Sequence, residues 1–187
     1  MSYYDMIVSR NSIKVGSIIV ILLSYVAGVY GGYSEWDFDK ANDITTFYGT
    51  NSEATALYYD DNYDIALKIM LSNLSVCVFI CVLSLLSVGA IGIMTMYING
   101  FTLGVFLSMS VDSYGLAQTL LISLPHSLLE LIGISLAIYI GFSVFLLLVF
   151  RVVLNSWREL LVILALMILS VVAGAFVESF VSINLWN

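Results

Sequence analysis

The sequence predicts an all-α protein, a polytopic bundle of about five transmembrane helices forming a single integral membrane domain over residues 1–187. Three observations carry that prediction. Hydrophobic residues make up 61% of the chain. Charged residues make up only 10%, where soluble domains carry about 25%. Uncharged runs long enough to cross a bilayer recur along the chain, and a spanning helix needs about 20 such residues.

The first apolar stretch covers residues 15–33 and follows a polar start that includes Arg10, Asn11 and Lys14. It exceeds the h-region of a signal peptide, and no well-formed small-residue cleavage site surrounds Ala27, Gly28 and Gly32. It therefore predicts an uncleaved first helix. Residues 33–64 differ in character, holding Glu35, Asp37, Asp39, Asp43, Glu53, Asp60, Asp61 and Asp64 against Lys40. Eight acids less one base account for the whole net charge of −7, so the remainder sums to zero. Such a block solubilises a loop, and its spacing is not that of an EF-hand. At its end, Ala56, Tyr59, Tyr63, Ala66 and Leu67 predict a surface helix over residues 52–68 that leads into the membrane.

Residues 69–99 contain no charge. At 1.5 Å per residue they could span about 46 Å, more than the roughly 30 Å hydrocarbon core requires. The segment must tilt, extend beyond the core, or end near Gly89, Gly92 or Asn99. A short apolar run at 101–111 is interrupted at 112–115 and resumes at 116–124, ahead of Pro125 and His126. Residues 131–150 form a clean span ending at Arg151, and residues 160–177 form the last, bounded by Glu159 and Glu178.

Topology follows from the bases. Arg10 and Lys14 flank the first helix, while Arg151 and Arg158 lie in the turn between the last two. The positive-inside rule places both groups in the cytoplasm. The acidic loop at about 33–64 is then extracytoplasmic, the N-terminus cytoplasmic and the C-terminus extracytoplasmic. Parity requires residues 101–125 to cross an odd number of times. One crossing, broken or continuous at 112–115, is the simplest solution, with the fourth helix starting near Pro125.

Small residues repeat four apart at Gly28 and Gly32, Gly100 and Gly104, Gly133 and Ala137, Ala137 and Gly141, and Ser170 and Gly174. This spacing lets helix backbones approach closely where lipid supplies no hydrophobic drive for association. Cys77 and Cys81 share a helix face and read as core packing.

The polar groups near the apolar segments carry the functional information. With Pro125 in a first turn, His126 and Glu130 share one face and can pair. Ionisable residues in a membrane are costly enough to mark function by default, yet local pairing satisfies them equally well. Asp112 can cap the resumed helix, and Asn99 and Glu178 can cap or anchor helix ends. No serine-histidine-acid set, zinc cluster, Walker loop, cofactor motif or nucleic-acid stripe is present, so the residues name no enzyme, metal or cofactor. Two classes stay open. One is a non-enzymatic scaffold or accessory subunit that works with a membrane protein partner or a second copy. The other is a transport or export component in which His126, Glu130 and Asp112 face a path.

Asn99-Gly100-Phe101-Thr102-Leu103-Gly104, then Pro125-His126-Ser127-Leu128-Leu129-Glu130-Leu131, with Gly141 beyond and Glu178 near the last helix, resembles the stage II sporulation protein M family, also described as DUF95. Asn11 matches an asparagine often found there, and the resemblance runs from about residue 7 to residue 180. It implies a small multi-helix membrane protein without an established catalytic activity. The sporulation member is a scaffold-like protein that recruits peptidoglycan-degrading proteins to the septal membrane during engulfment. Other members occur beside ABC transporters and in circular-bacteriocin export and immunity systems. The resemblance thus implies peptidoglycan hydrolases or an ABC transporter ATP-binding subunit as partners. Ser127 departs from the usual glycine, and the acidic, tyrosine-rich loop carries no family signature.

Cysteine-accessibility labelling in a background lacking Cys77 and Cys81 is expected to place Ser52 outside the cell and Asn155 inside. Exposure of both on one side would break the five-span topology.

Overall fold

The computed structural model describes residues 3–35 and 62–182. They form α1 (Tyr3–Glu35), α2 (Asn62–Leu86), α3 (Ala90–Tyr114), α4 (Leu116–Phe150) and α5 (Trp157–Val177), the last running into a π-helical turn at Glu178–Ser182. Each of the five α-helices is long and apolar enough to cross a membrane. The fold is therefore an all-α, multi-pass bundle, as the composition predicts. Most of the acidic loop, including residues 52–61 of the expected surface helix, lies outside the described residues. Asn62 to Lys68 are not a separate element but the opening turns of α2.

Three boundaries fix the middle of the chain. First, the uncharged stretch at 69–99 is two helices, and of the three ends expected for it the one near Gly89 holds. The chain turns at 87–89, where Gly89 adopts φ 83° and Val88 φ 59°. The Ser87 hydroxyl donates to the Leu83 carbonyl at 2.7 Å and accepts from the Ile91 N–H at 3.1 Å, tying the end of α2 to the start of α3. Backbone groups near lipid must be satisfied by the protein itself, and this serine supplies what water supplies in a soluble loop. Second, 112–115 is not a break within one crossing but the hairpin between two. Only Gly115 separates α3 from α4, at φ 80° and ψ 156°, and its N–H donates to the Val111 carbonyl. Asp112 therefore belongs to the last turn of α3, and Gly115 holds the N-cap position of the next helix. Third, Pro125 does not start a helix. It lies inside the 35-residue α4, and Asn99 likewise sits mid-helix in α3. The two shifts compensate, so the count of five spans survives while the middle boundaries move by half a helix.

Neighbouring contacts give the helix directions. α1 and α3 are parallel: Gly28 meets Tyr97 and Phe101, and Gly32 meets Phe101 and Val105. From the other side, Gly100 meets Tyr25 and Val29, and Gly104 meets Val29 and Tyr33. Each of these four glycines lies against a backbone carbonyl of the opposing helix, where a Cβ would collide. Two of the small-residue pairs in the sequence are thus the two halves of one interface. α2 and α4 are also parallel, with Asn73 beside Glu130 and Cys81 and Leu85 beside Gly141. α5 runs antiparallel to α4, with Gly133 against Val171 and Gly174 against Leu129. The core between them consists of Ile21, Cys77, Ile80, Met96, Ala137, Ile138, Met167 and Val171. Cys77 is a buried free thiol within it, in line with its expected packing role.

One end of the bundle is stapled by charge. Ser156 and Glu159 form a capping box at the start of α5, with bonds of 2.9 and 3.3 Å. Glu159 also faces Lys14 of α1 at 3.7 Å, and Tyr139 donates to Asn155 at 2.7 Å. This brings the start of α1 to the turn between α4 and α5, so the two basic groups inferred to share a membrane side lie at the same end.

Gly100→Leu forces α1 and α3 apart and is expected to lower stability by about 1–3 kcal/mol, the usual range for overpacking. Gly16 has nothing within 4 Å of an added Cβ, so Gly16→Ala is the matched control. Thermal stability of the two detergent-solubilised variants, followed by size-exclusion chromatography, checks the difference. Equal losses would show that the contact is not limiting.

Candidate functional site

Halfway along the bundle the apolar packing is interrupted by a group of polar side chains. Asn73, on α2, donates to a Glu130 carboxylate oxygen on α4 at 2.5 Å. The bond joins two helices at positions 57 residues apart in the chain. The expected partner of Glu130 was His126, one turn earlier. His126 instead hydrogen-bonds the backbone of Ile122. Pro125 has no N–H to offer the Leu121 carbonyl, one residue before the carbonyl that His126 meets. The Ser123 hydroxyl acts on the same turn, donating to the Thr119 carbonyl at 2.7 Å.

These residues border a cavity of about 270 Å³ between α1, α3 and α4. Tyr25, Asn99, Ser123, His126, Ser127 and Glu130 supply its polar wall, and Met96, Leu103 and Phe106 part of its apolar wall. Of the residues singled out in the sequence, Asn99, His126 and Glu130 meet here. Asn99 donates its amide to the Thr95 carbonyl at 2.9 Å. Gly100 and Gly104 face α1, where they permit its close approach, rather than the cavity. Gly141 lies three turns of α4 away, against α2. Pro125 shapes the helix behind His126. The side chain of Asp112 lies outside the described residues. Glu178 opens the π-helical turn one helical turn beyond Gly174, and a Cβ on Gly174 would come within 3.5 Å of the Glu130 side chain. Glu178 therefore lies on the face of α5 that meets Glu130, so two carboxyl groups from two helices approach one another.

Asn73 belongs to this site although no motif marks it. It sits in an uncharged run, and a scan for charge passes over an amide. The available signal is that Asn73 is the sole amide in α2 after its first residue, amid Leu, Val, Ile and Cys. Among the described residues, no three His, Cys, Asp or Glu side chains converge as metal ligands do.

Asn73→Ala removes the amide from a partly buried carboxylate, so stability is expected to fall by about 1–3 kcal/mol. Glu130→Gln keeps an acceptor for Asn73 and is expected to lose less. A double-mutant cycle with Asn73→Ala and Glu130→Ala, read by denaturation in mild detergent, measures their coupling. Strict additivity would show that the bond does not hold α2 to α4.

Neither a curated protein nor a solved structure matches the chain. The family model described as Stage II sporulation protein M matches residues 17–183, from the first span through the π-helical turn. That match takes in all five spans, the glycine contact between α1 and α3 and the polar group around Glu130, and the chain is a member of the Stage II sporulation protein M family.

Proposed function

We propose that the protein is a non-enzymatic membrane scaffold or accessory subunit, acting in cell-envelope remodelling related to sporulation. The observation that carries this reading is how the motif's polar groups are used. Glu130 bonds Asn73, His126 bonds Ile122, Ser123 bonds Thr119 and Asn99 bonds Thr95. Each bond holds a helix to its neighbour or turns a polar side chain back onto its own helix, the work expected of a rigid platform. The outer faces suit such a platform, since Leu23, Val26, Leu161 and Leu169 point away from the bundle and offer apolar surface to lipid or to a membrane partner. The basic end is cytoplasmic in this proposal, and the end of α5 extracytoplasmic. Partners of the expected kinds are peptidoglycan hydrolases on the outer side or a second membrane protein within the bilayer.

A second reading, as part of a transport or export complex, has one observation in its favour. The cavity between α1, α3 and α4 is lined by an acid, an imidazole, an amide and hydroxyls at mid-depth. Ionisable residues at such depth mark pathways in many membrane proteins.

The two readings separate in one assay. His126→Ala, Glu130→Ala and Glu130→Gln are compared for yield of folded complex and for cellular activity per folded complex. The scaffold predicts that yield and activity fall together, least for Glu130→Gln. A transport role predicts normal yield with lost turnover. Full activity of a monomer without any protein partner, shown by native mass spectrometry of the gently extracted protein, would overturn the scaffold.

A further inference from the structure

A second surface feature is independent of the polar cavity. A groove of about 400 Å³ runs between α1 and α4, with Ile163 of α5 at its edge. Lys14, Ile18 and Leu22 form one wall, and Leu131, Ser135 and Tyr139 lie on the other. Because α1 and α4 are antiparallel, Lys14 and Tyr139 stand at one end and Leu22 and Leu131 at the other. The eight residues from Lys14 to Leu22 correspond to about 12 Å of helix. The outer rim is open, with Ile18, Leu22 and Ile132 each between 43% and 48% exposed.

The groove changes chemistry along its length. Its deep part is wholly aliphatic. One turn short of Tyr139, or about 6 Å deeper in the membrane, the Ser135 hydroxyl is buried without a hydrogen-bond partner. At the mouth is the Lys14 ammonium, at the basic end of the bundle with Arg10, Arg151 and Arg158 against Glu159. The Ser135 hydroxyl is turned into the protein, so the groove itself is an aliphatic slot with a cation at its mouth, the order that meets a phospholipid from acyl chain to phosphate. A net-anionic headgroup suits this mouth better than a zwitterionic one, because Lys14 stands at the same end as Arg10, Arg151 and Arg158.

We infer that this groove binds one anionic phospholipid, with an acyl chain along Ile18 and Leu22 and its phosphate at Lys14. Glu159 does not block the headgroup. Its contact with Lys14 is long, at 3.7 Å, and the two side chains are 27% and 55% exposed. A long ion pair open to solvent on the Glu159 side is weak, so a phosphate can compete for the ammonium.

The test is native mass spectrometry of the full-length protein released from mixed micelles holding equal amounts of dioleoyl phosphatidylglycerol and dioleoyl phosphatidylcholine. One retained phosphatidylglycerol, in preference to phosphatidylcholine, is expected. Lys14→Gln should weaken its retention about fivefold, the worth of one basic residue at a membrane surface. Glu159→Gln breaks the same ion pair but keeps the cation and the capping box, and should retain phosphatidylglycerol at least as well as the unaltered protein. Ser135→Leu, which fills the slot, should abolish retention, and an unaltered thermal midpoint confirms that it folds. If it does not fold, the Lys14 and Glu159 variants decide the matter alone. Equal retention of the two lipids overturns the inference. So does an equal loss in Lys14→Gln and Glu159→Gln, which would make the ion pair rather than the cation the determinant. Displacement of lipid by a second copy of the chain, seen as a lipid-free dimer, overturns it as well.

Discussion

The arrangement of this bundle depends on the contact between α1 and α3. In lipid there is no solvent to drive apolar helices together, and association rests on how closely backbones approach and how many atoms then touch. Here both helices present glycines four apart, in parallel, each against a carbonyl of its neighbour. Parallel neighbours cannot be consecutive in a short-looped chain, so a helix must return between them. That helix is α2, and its own parallel neighbour is α4, which follows α3. The two parallel pairs, α1 with α3 and α2 with α4, interlock the first four spans, while α5 closes on the open side of α4 through Gly133 and Gly174.

This framework accounts for the placement of the polar residues. A carboxylate at mid-depth is tolerated only with a partner, and Glu130 has Asn73 because α2 runs alongside α4 in register. Around Pro125, His126 and Ser123 turn their polar atoms to carbonyls of α4 itself, and both border the cavity toward α1 and α3. Ser127, where the family usually has glycine, lines that cavity, so a bulkier residue at this position changes its wall without touching the glycine interface. The basic end follows a different logic. Polar and charged groups there meet water and headgroups, and a capping box, an ion pair and a tyrosine–asparagine bond hold three segments together where helix packing ends.

Much of this was legible in the residues. Composition determines an all-helical membrane protein, because a chain so apolar can satisfy its backbone in lipid only as helices or a closed barrel, and uncharged runs of this length suit helices. The number of spans follows from total apolar length. The shared end for Arg10, Lys14, Arg151 and Arg158 follows from charge, and the glycine pairs announce close packing. The motif around Asn99, His126 and Glu130 places the family and part of the site.

Partners and turns were decided only by the tertiary structure. In 86–90, Leu-Ser-Val-Gly-Ala, Gly89 alone signals an end, and it does not stand out from Gly92 or Asn99, because a turn in a membrane is made without charge or proline when a serine and a glycine serve it. Conversely Pro125 reads as a helix start, yet in α4 it is an interior residue. Which glycines face one another, and that Glu130 bonds Asn73 rather than the histidine one turn away, depends on the register of non-adjacent helices. Spacing along one helix contains local pairs only. The contact that holds α2 to α4 comes from two segments 57 residues apart, and only their packing brings it into being.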